Sequence, residues 1–456
     1  MTVLLLSTYE LGHQPFNLAS PAAHLLAEGI DVHCLDLSVQ PLDESLVRQA
    51  DAVAISTPMH TALRIGLKVA RRVKALNPDA HRVFYGLYAG LNARYLLDTI
   101  ADAVIGGEYE QFLAQWLKAL ASGRRDGVPG VVTQTGGQIL YPRQTFLRPA
   151  RHLLPPLDQY TRLSYRGKLH LVGYVEASRG CAHKCKHCPI TPAYNGRVRI
   201  VQKEVVLADI EQLVEMGAQH ITFGDPDFLN GVRHSMAIVR EMHQRWPELT
   251  FDFTAKIEHL LEYHDLMPEL RRLGCLFVVS AVECIQDRTL ALLDKGHTRA
   301  DVEAALRLMQ RAGIALRPSL MPFTPWTGVQ DFIELLDFVA ENGLVPNIDP
   351  IQYCIRLLLP PESPLLDLPE LAPYLGAFDE EKFSYEWRHP EPEADELQQR
   401  VWDTIERMLA EGHSNAAIFA RIREIAGEFA GCDHSAWLHI EEPDIPPPRL
   451  TEDWFC

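Results

Sequence analysis

No apolar run in the sequence approaches the roughly 18–20 residues that span a bilayer, so no membrane-crossing segment is expected. Nor is there a basic block: 43 Lys and Arg stand against 60 Asp and Glu, a formal charge of −17. That balance disfavours a protein that grips phosphate backbones and argues against a nucleic-acid partner. Cysteine is sparse, nine in 456 residues, which excludes a disulfide scaffold. Apolar content (47%) and charged content (23%) both sit near globular averages, which excludes wholesale disorder. The segment Met1–Gln14 lacks a basic leader and a small-residue cleavage site, and reads as a first strand rather than a signal peptide. A cytoplasmic protein of about two to four domains is expected.

Residues 1–121 alternate short apolar runs (Val3–Ser7, Val32–Leu37, Val53–Ser56, Val83–Tyr85, Ala103–Ile105) with helical spacing such as Ala62–Leu76. This pattern predicts a parallel, doubly wound α/β domain with its ligands at the strand ends. Residues 122–170 are interrupted by Gly123, Gly127, Gly130, Gly136 and Gly137, then by Pro149, Pro155 and Pro156, and read as a hairpin and linker. Over 171–360 the alternation returns. Strands are expected at Val172–Glu176, His220–Phe223, Thr250–Thr254, Leu276–Ala281, Ala315–Leu320 and Ile348–Tyr353, with helices that include Glu258–Leu273. Six βα units predict a partial (β/α)6 barrel. Residues 361–456 lose the strand pattern, and Glu396–Ala410 and Ser414–Ala430 read as helices before a Pro-rich, irregular tail.

The run with the most chemistry is Ser178-Arg-Gly-Cys181-Ala-His-Lys-Cys185-Lys-His-Cys188-Pro189, directly after a predicted strand. Three thiolates at this spacing can wrap one loop around one face of an iron–sulfur cluster. On a four-iron cube they leave one iron open for chemistry. Tetrahedral zinc is the alternative and needs a fourth ligand, for which His183 and His187 are the candidates. Buried structural cysteines are the plainest reading, and the Gly- and Lys-flanked loop position argues against it.

This Cys-x3-Cys-x2-Cys loop at the start of a partial barrel resembles the radical S-adenosylmethionine (SAM) superfamily. The resemblance implies that Cys181, Cys185 and Cys188 hold a 4Fe-4S cluster whose open iron takes the amino and carboxylate groups of SAM. It implies reductive cleavage of SAM to methionine and a 5′-deoxyadenosyl radical, with an electron donor such as flavodoxin or ferredoxin. His187 replaces the aromatic residue that usually precedes the last cysteine. Ile221-Thr-Phe-Gly-Asp225-Pro-Asp227-Phe-Leu-Asn230 resembles the Asp-rich segment of members with an N-terminal cobalamin-type domain, and places Asp225 or Asp227 at the SAM ammonium. A turn with an Asx cap is the structural alternative. Glu283, in Ser280-Ala-Val-Glu283, is implied at the SAM ribose, and Arg317 at the methionyl carboxylate.

A flavodoxin-like domain before such a barrel resembles the cobalamin-binding subgroup, and Gly106-Gly107-Glu108 resembles its Gly/Glu signature. The Asp-x-His-x-x-Gly loop that ligates cobalt from below is missing after the first strand, and His13 and His60 are the stray candidates. The end, Ile445 to Cys456, resembles the radical SAM group named for its CUAEP or CCAEP tail. On that resemblance the chain stops where a selenocysteine codon was read as a stop, and Cys456 is a redox-tail candidate. Cys34, Cys275, Cys284, Cys354 and Cys432 read as core residues. The expected function is radical chemistry on an unidentified small-molecule or peptide substrate, with methyl transfer from cobalamin open to it. The rivals are a radical enzyme without cobalamin that performs rearrangement or C–S chemistry, and a non-catalytic iron–sulfur or zinc protein.

Overall fold

The computed structural model describes residues 1–124, 126–431 and 443–452. β1 (Thr2–Ser7), β2 (Asp31–Asp36), β3 (Ala52–Ser56), β4 (His81–Tyr85) and β5 (Ala103–Ile105) form a parallel sheet in the order β2-β1-β3-β4-β5. Successive residues of one strand serve two cores. Val3, Leu5, Ala52 and Ala54 pack with residues of the helices Phe16–Ala27 and Glu110–Ala121, whereas Leu4, Leu6, Val53 and Ile55 pack with the helix His60–Leu76. Burial on both faces is why these strands read as unbroken apolar runs. The expected hairpin is β6 (Val131–Thr133) and β7 (Gly136–Gly137), which extends this sheet antiparallel beside β5.

β8 (Arg162–Tyr165) and β9 (Lys168–Val175) make a second hairpin. A small antiparallel pair follows, β10 (Ser178–Gly180) with β11 (Val198–Ile200). β9 then begins a curved parallel sheet with β12 (His220–Phe223), β13 (Thr250–Thr254), β14 (Cys275–Glu283) and β15 (Ala315–Leu320).

The sixth barrel strand expected at Ile348–Tyr353 is absent. Pro350–Cys354 is a 3-10 turn instead, because Pro350 has no N–H to give a ladder. The Gln352 side chain takes over that role and accepts the Leu320 N–H at 2.8 Å. What is left of a sixth strand is one parallel bridge, Phe323 to Arg356. The helix expected over Glu258–Leu273 is also broken, into Ile257–Glu262, a 3-10 turn at His264–Leu266 and Met267–Arg272, with Pro268 opening the last piece. The C-terminal region does hold strands. β16 (Leu375–Asp379) and β17 (Ser384–Trp387) pair as a largely solvent-facing hairpin that leaves no apolar alternation to read. The helices Pro392–Ala410 and Asn415–Ala430 follow, and the second packs on the barrel core through Ile418, Phe419 and Ile422. The Pro-rich tail, expected to be irregular, adds β18 (Arg449–Leu450) to the edge of β8 through main-chain bonds that need no sequence pattern.

Arg151 ties the pieces together. Its guanidinium is buried, bonds both oxygens of Asp209 at 3.0 and 2.9 Å, and donates to the carbonyls of Gln14 and Tyr174. The linker, the first domain and the barrel thus meet on one cation. Replacement by Met strands a buried carboxylate, and we expect Arg151→Met to lose ~3–5 kcal/mol in urea unfolding. The double variant Arg151→Met/Asp209→Leu should recover part of that loss, because no buried charge then remains.

Candidate active site

The cysteine loop is the arc between β10 and β11. Gly180 closes it: at φ +73, a Cβ there would stand 2.3 Å from the Arg197 carbonyl and 2.5 Å from the Tyr194 ring. The arc is pinned from within by Thr191 Oγ1 donating to the Cys185 carbonyl at 2.8 Å, and from the 3-10 turn Phe228–Gly231 after β12 by Asn230 Oδ1, which accepts the Ala182 N–H at 3.1 Å. All seven cysteines among the described residues are free thiols. Burial raises the Cys181 thiol and pushes that of Cys188 up to about 12. Iron ligation would displace those protons, so three thiols on one arc fit a cluster. The two histidines of the loop are engaged elsewhere. His183 Nε2 lies 3.2 Å from His259 Nε2, and His187 Nε2 lies 3.1 Å from Glu283 Oε1. Neither is placed to complete a zinc site on the thiols, and the three-ligand pattern with an open iron is the one the loop supports.

Glu283 closes β14 in a conformation that carries strain. The register with β15 slips between Ala281 and Glu283, and Glu283 has φ +66. A non-glycine residue held there carries strain that its surroundings must offset. Oε1 also accepts from the buried Lys295 ammonium at 3.0 Å. Against the effect of burial, Lys295 and His187 hold the Glu283 carboxyl well below the usual carboxylate range. Glu283 is therefore ionised and joined to the cysteine loop through His187. His187 Nδ1 and Asn230 Nδ2 are buried without hydrogen-bond partners, two polar atoms beside the loop that a bound polar group would satisfy. A carboxylate at this place suits the vicinal hydroxyls of a ribose, and these residues fit SAM.

The other residues expected at SAM have partners within the protein. Asp225 accepts from Ser178 Oγ at 2.6 Å and the Ala177 N–H at 2.9 Å, and so braces the turn that leads into the loop. Asp227 caps Leu229 through Oδ1 and accepts the Lys256 N–H through Oδ2. Arg317 pairs with Asp349 at 2.8 Å. It lies in register with Val279 whereas Glu283 is level with Leu320, so Arg317 sits roughly 10 Å further down the strands. There it lines a cavity with His13, Leu450 and Glu452, away from the cysteine loop.

Arg179, two residues before Cys181, joins this site to the first domain. It is buried, bonds Glu176 at 2.6 Å and Glu110 at 2.6 and 3.1 Å, and reaches the Gly107 carbonyl at 3.4 Å. Its neighbours in the sequence gave no sign of those partners. Gly106, Gly107 and Glu108 are thus brought to the cysteine loop. Gly107 lies under Tyr194, Glu108 accepts the Tyr194 hydroxyl at 2.7 Å, and a Cβ on Gly106 would stand 2.4 Å from Ile139. These residues do not fit an open cradle for a corrin at the glycines, because Ile139, Tyr141 and Tyr194 fill that mouth. Nor is a histidine offered to cobalt. His13 packs on Tyr174 with ring centroids 4.8 Å apart, and His60 bonds the Lys382 carbonyl. Cys456 and Cys432 lie outside the described residues.

Burial pushes Glu108 up to about 7, although Arg179 opposes it. A carboxyl raised in the folded state binds a proton that the unfolded chain has released, so its contribution to stability declines as pH rises from about 4.5 to about 7. Glu108→Gln keeps the acceptor for Tyr194 and removes that titration. We expect its melting temperature to match the wild type near pH 5 and to exceed it increasingly towards pH 8. The gain should be on the order of 1–3 kcal/mol, and a difference that does not vary with pH would contradict the assignment.

Comparison with known proteins agrees with this architecture. A model of the radical SAM superfamily matches residues 175–339, and one of the B12 binding domain matches residues 2–117. The ribosomal protein uS12 methylthiotransferase RimO of Parabacteroides distasonis is 27% identical over 187 residues, 37% of this chain and 41% of the relative. That of Trichlorobacter lovleyi is 25% identical over 183 residues, 37% of this chain and 39% of the relative. The chain thus spans about two fifths of the length of the curated relatives it matches. Among solved structures, the radical SAM methyltransferase TsrM from Kitasatospora setae, bound to tryptophan and aza-SAM, shares the fold at TM-score 0.62 and 18% identity, covering 85% of this chain and 86% of that one. The cobalamin-dependent radical enzyme OxsB, with aqua-cobalamin and SAM bound, does so at TM-score 0.72 and 15% identity, covering 93% and 71%. The family matches imply a 4Fe-4S cluster and SAM for the barrel and support cobalamin for the first domain. Residues 175–339 thus match the radical SAM superfamily and residues 2–117 the B12 binding domain, the domain content expected from the three-cysteine loop and the doubly wound first sheet.

Proposed function

We propose that this protein is a radical SAM enzyme that acts on a small molecule or peptide. The observation that carries the reading is the joining of Glu283 to the cysteine arc by His187. Cys181, Cys185 and Cys188 would hold the cluster, and Glu283 the SAM ribose. When bound, a reduced 4Fe-4S cluster supplies the electron that cleaves SAM and so starts abstraction of hydrogen from an unactivated C–H bond. The protein's own part is positional. Gly180 and Asn230 fix the arc, and Lys295 keeps Glu283 ionised. RimO is named for a ribosomal protein and TsrM was solved with tryptophan, so a peptide or amino-acid-like substrate fits the family context. The electron donor in this reading is a flavodoxin or ferredoxin.

The B12-type domain supports cobalamin-dependent methyl transfer. A second reading, radical chemistry without cobalamin, is favoured by one observation, the filling of the Gly106–Gly107 mouth by Ile139 and Tyr141. The likeness of residues 445–456 to the CUAEP/CCAEP tail group is a proposal carried by the sequence alone.

The anaerobically reconstituted chain should hold about four irons, and Cys185→Ala should lose both the iron and SAM cleavage. Cleavage at the wild-type rate by that variant would reject the reading, and cobalt in the same metal analysis separates the two versions of it. Glu283→Ala should keep the iron yet weaken SAM binding by about 1–3 kcal/mol, the scale of a lost charged hydrogen bond. Unchanged SAM affinity in equilibrium titration would remove Glu283 from the SAM site.

A further inference from the structure

Beside the cysteine arc, the segments that follow β12 and β13 bring three side chains together that the proposed chemistry does not use. Asp227 follows β12, His259 lies on the helix that follows β13, and His183 comes from the arc itself. One donor atom from each lies within 4.8 Å of the others. Asp227 Oδ2 is 2.9 Å from His259 Nδ1 and 3.8 Å from His183 Nε2, and the other nitrogen of His259, Nε2, is 3.2 Å from His183 Nε2. The separations from Asp227 Oδ2 to one nitrogen of each imidazole are those of donors sharing one ion at roughly 2.0–2.2 Å. His259 and Asp227 are buried, and the carboxylate is fixed from behind by the backbone N–H groups of Leu229 and Lys256. His183 is oriented from its far side, where Glu258 stands 3.5 Å from Nδ1. That is the outer carboxylate–histidine arrangement that positions metal-bound imidazoles. A nearby cation, Lys256, is turned to Glu258 at 3.2 Å.

We propose that His183, Asp227 and His259 form a mononuclear site for a divalent transition metal beside the cluster loop. Two imidazoles and one carboxylate are the donor set of zinc and of non-haem iron(II). Three protein ligands leave a coordination position open, which is the pattern of a site that takes a ligand rather than one that only holds the fold. The ligand class is an oxygen or sulfur donor of the substrate, such as a carboxylate or thiolate, docked next to the arc. The site shares no ligand with the cluster and stands or falls without it.

Cobalt(II) is the probe, because its visible spectrum reports its donors. Full-length protein with the cluster reconstituted is freed of loose metal with a chelator, given cobalt(II), desalted and analysed. We expect about one cobalt per chain beyond the four irons and beyond any cobalt the protein holds before the addition, with the absorption of nitrogen and oxygen donors. His259→Ala should lose the cobalt and keep the iron. If that variant also loses iron or its native circular dichroism, His183→Ala decides in its place by the same reading. The variant with Cys181, Cys185 and Cys188 all changed to Ser should still take one cobalt, which separates this site from the cluster. A wild-type chain that retains no cobalt, a spectrum of thiolate-to-cobalt charge transfer, or undiminished cobalt in folded His259→Ala would overturn the proposal.

Discussion

One buried guanidinium sets the geometry of the whole site. Arg179 lies two residues before the first cysteine of the arc, yet its strongest partner, Glu110, opens the last helix of the first domain. A cation removed from water needs charged partners held in place, and losing one leaves the other stranded at a cost of several kcal/mol. Glu110, Glu176 and the Gly107 carbonyl provide that environment. Against its burial, Arg179 holds Glu110 low, whereas burial raises Glu176. The position of the arc is therefore fixed by the first domain as much as by the barrel. The Gly-Gly-Glu turn reads as a joint between the two: small residues let Tyr194 and Tyr141 come close, and Glu108 receives a hydroxyl from the arc.

The barrel side uses the same logic with strain added. Glu283 is forced to φ +66 by a slip in register, and its carboxylate is gripped by Lys295 and by His187. Strain of this kind costs of order 1–3 kcal/mol and persists only where the surroundings over-determine it. Here they do: the Glu283 carbonyl accepts the Met321 N–H at 2.8 Å while Lys295 and His187 hold the side chain. An ionised acceptor thus waits at the rim of the barrel, linked to the loop that carries the three thiols.

Compared with the expectation of six barrel strands, five parallel strands and a bridge close the sheet, and a tail strand lies against β8. The pattern at Ile348–Tyr353 looked like a strand because its apolar residues are buried, and burial does not distinguish a strand from a packed 3-10 turn. Pro350 was the signal that decided it. The short hairpin near residue 380 and the pairing of Arg449–Leu450 depend on main-chain bonds, which leave no hydrophobic period.

The linear sequence by itself determined the doubly wound first domain, the five strands of the barrel and the three-thiol arc. Those features rest on local information: apolar period, strand length, and cysteines close enough to share one loop. Glu283 was singled out only by the likeness of its segment to a family motif, two residues beyond the strand expected at Leu276–Ala281, and the structure extends that strand to it. What only the tertiary structure decided is who meets whom. Arg179 and Glu110 are 69 residues apart, and His183 and His259 are 76 apart. Charge and metal-ligating chemistry depend on distances of 3–4 Å between side chains, and no spacing along the chain encodes them. The same holds for Arg317, whose charge suited a carboxylate in SAM but whose place along β15 commits it to Asp349. A residue's type states what it can bind, and only the packing of the strands states what lies within its reach.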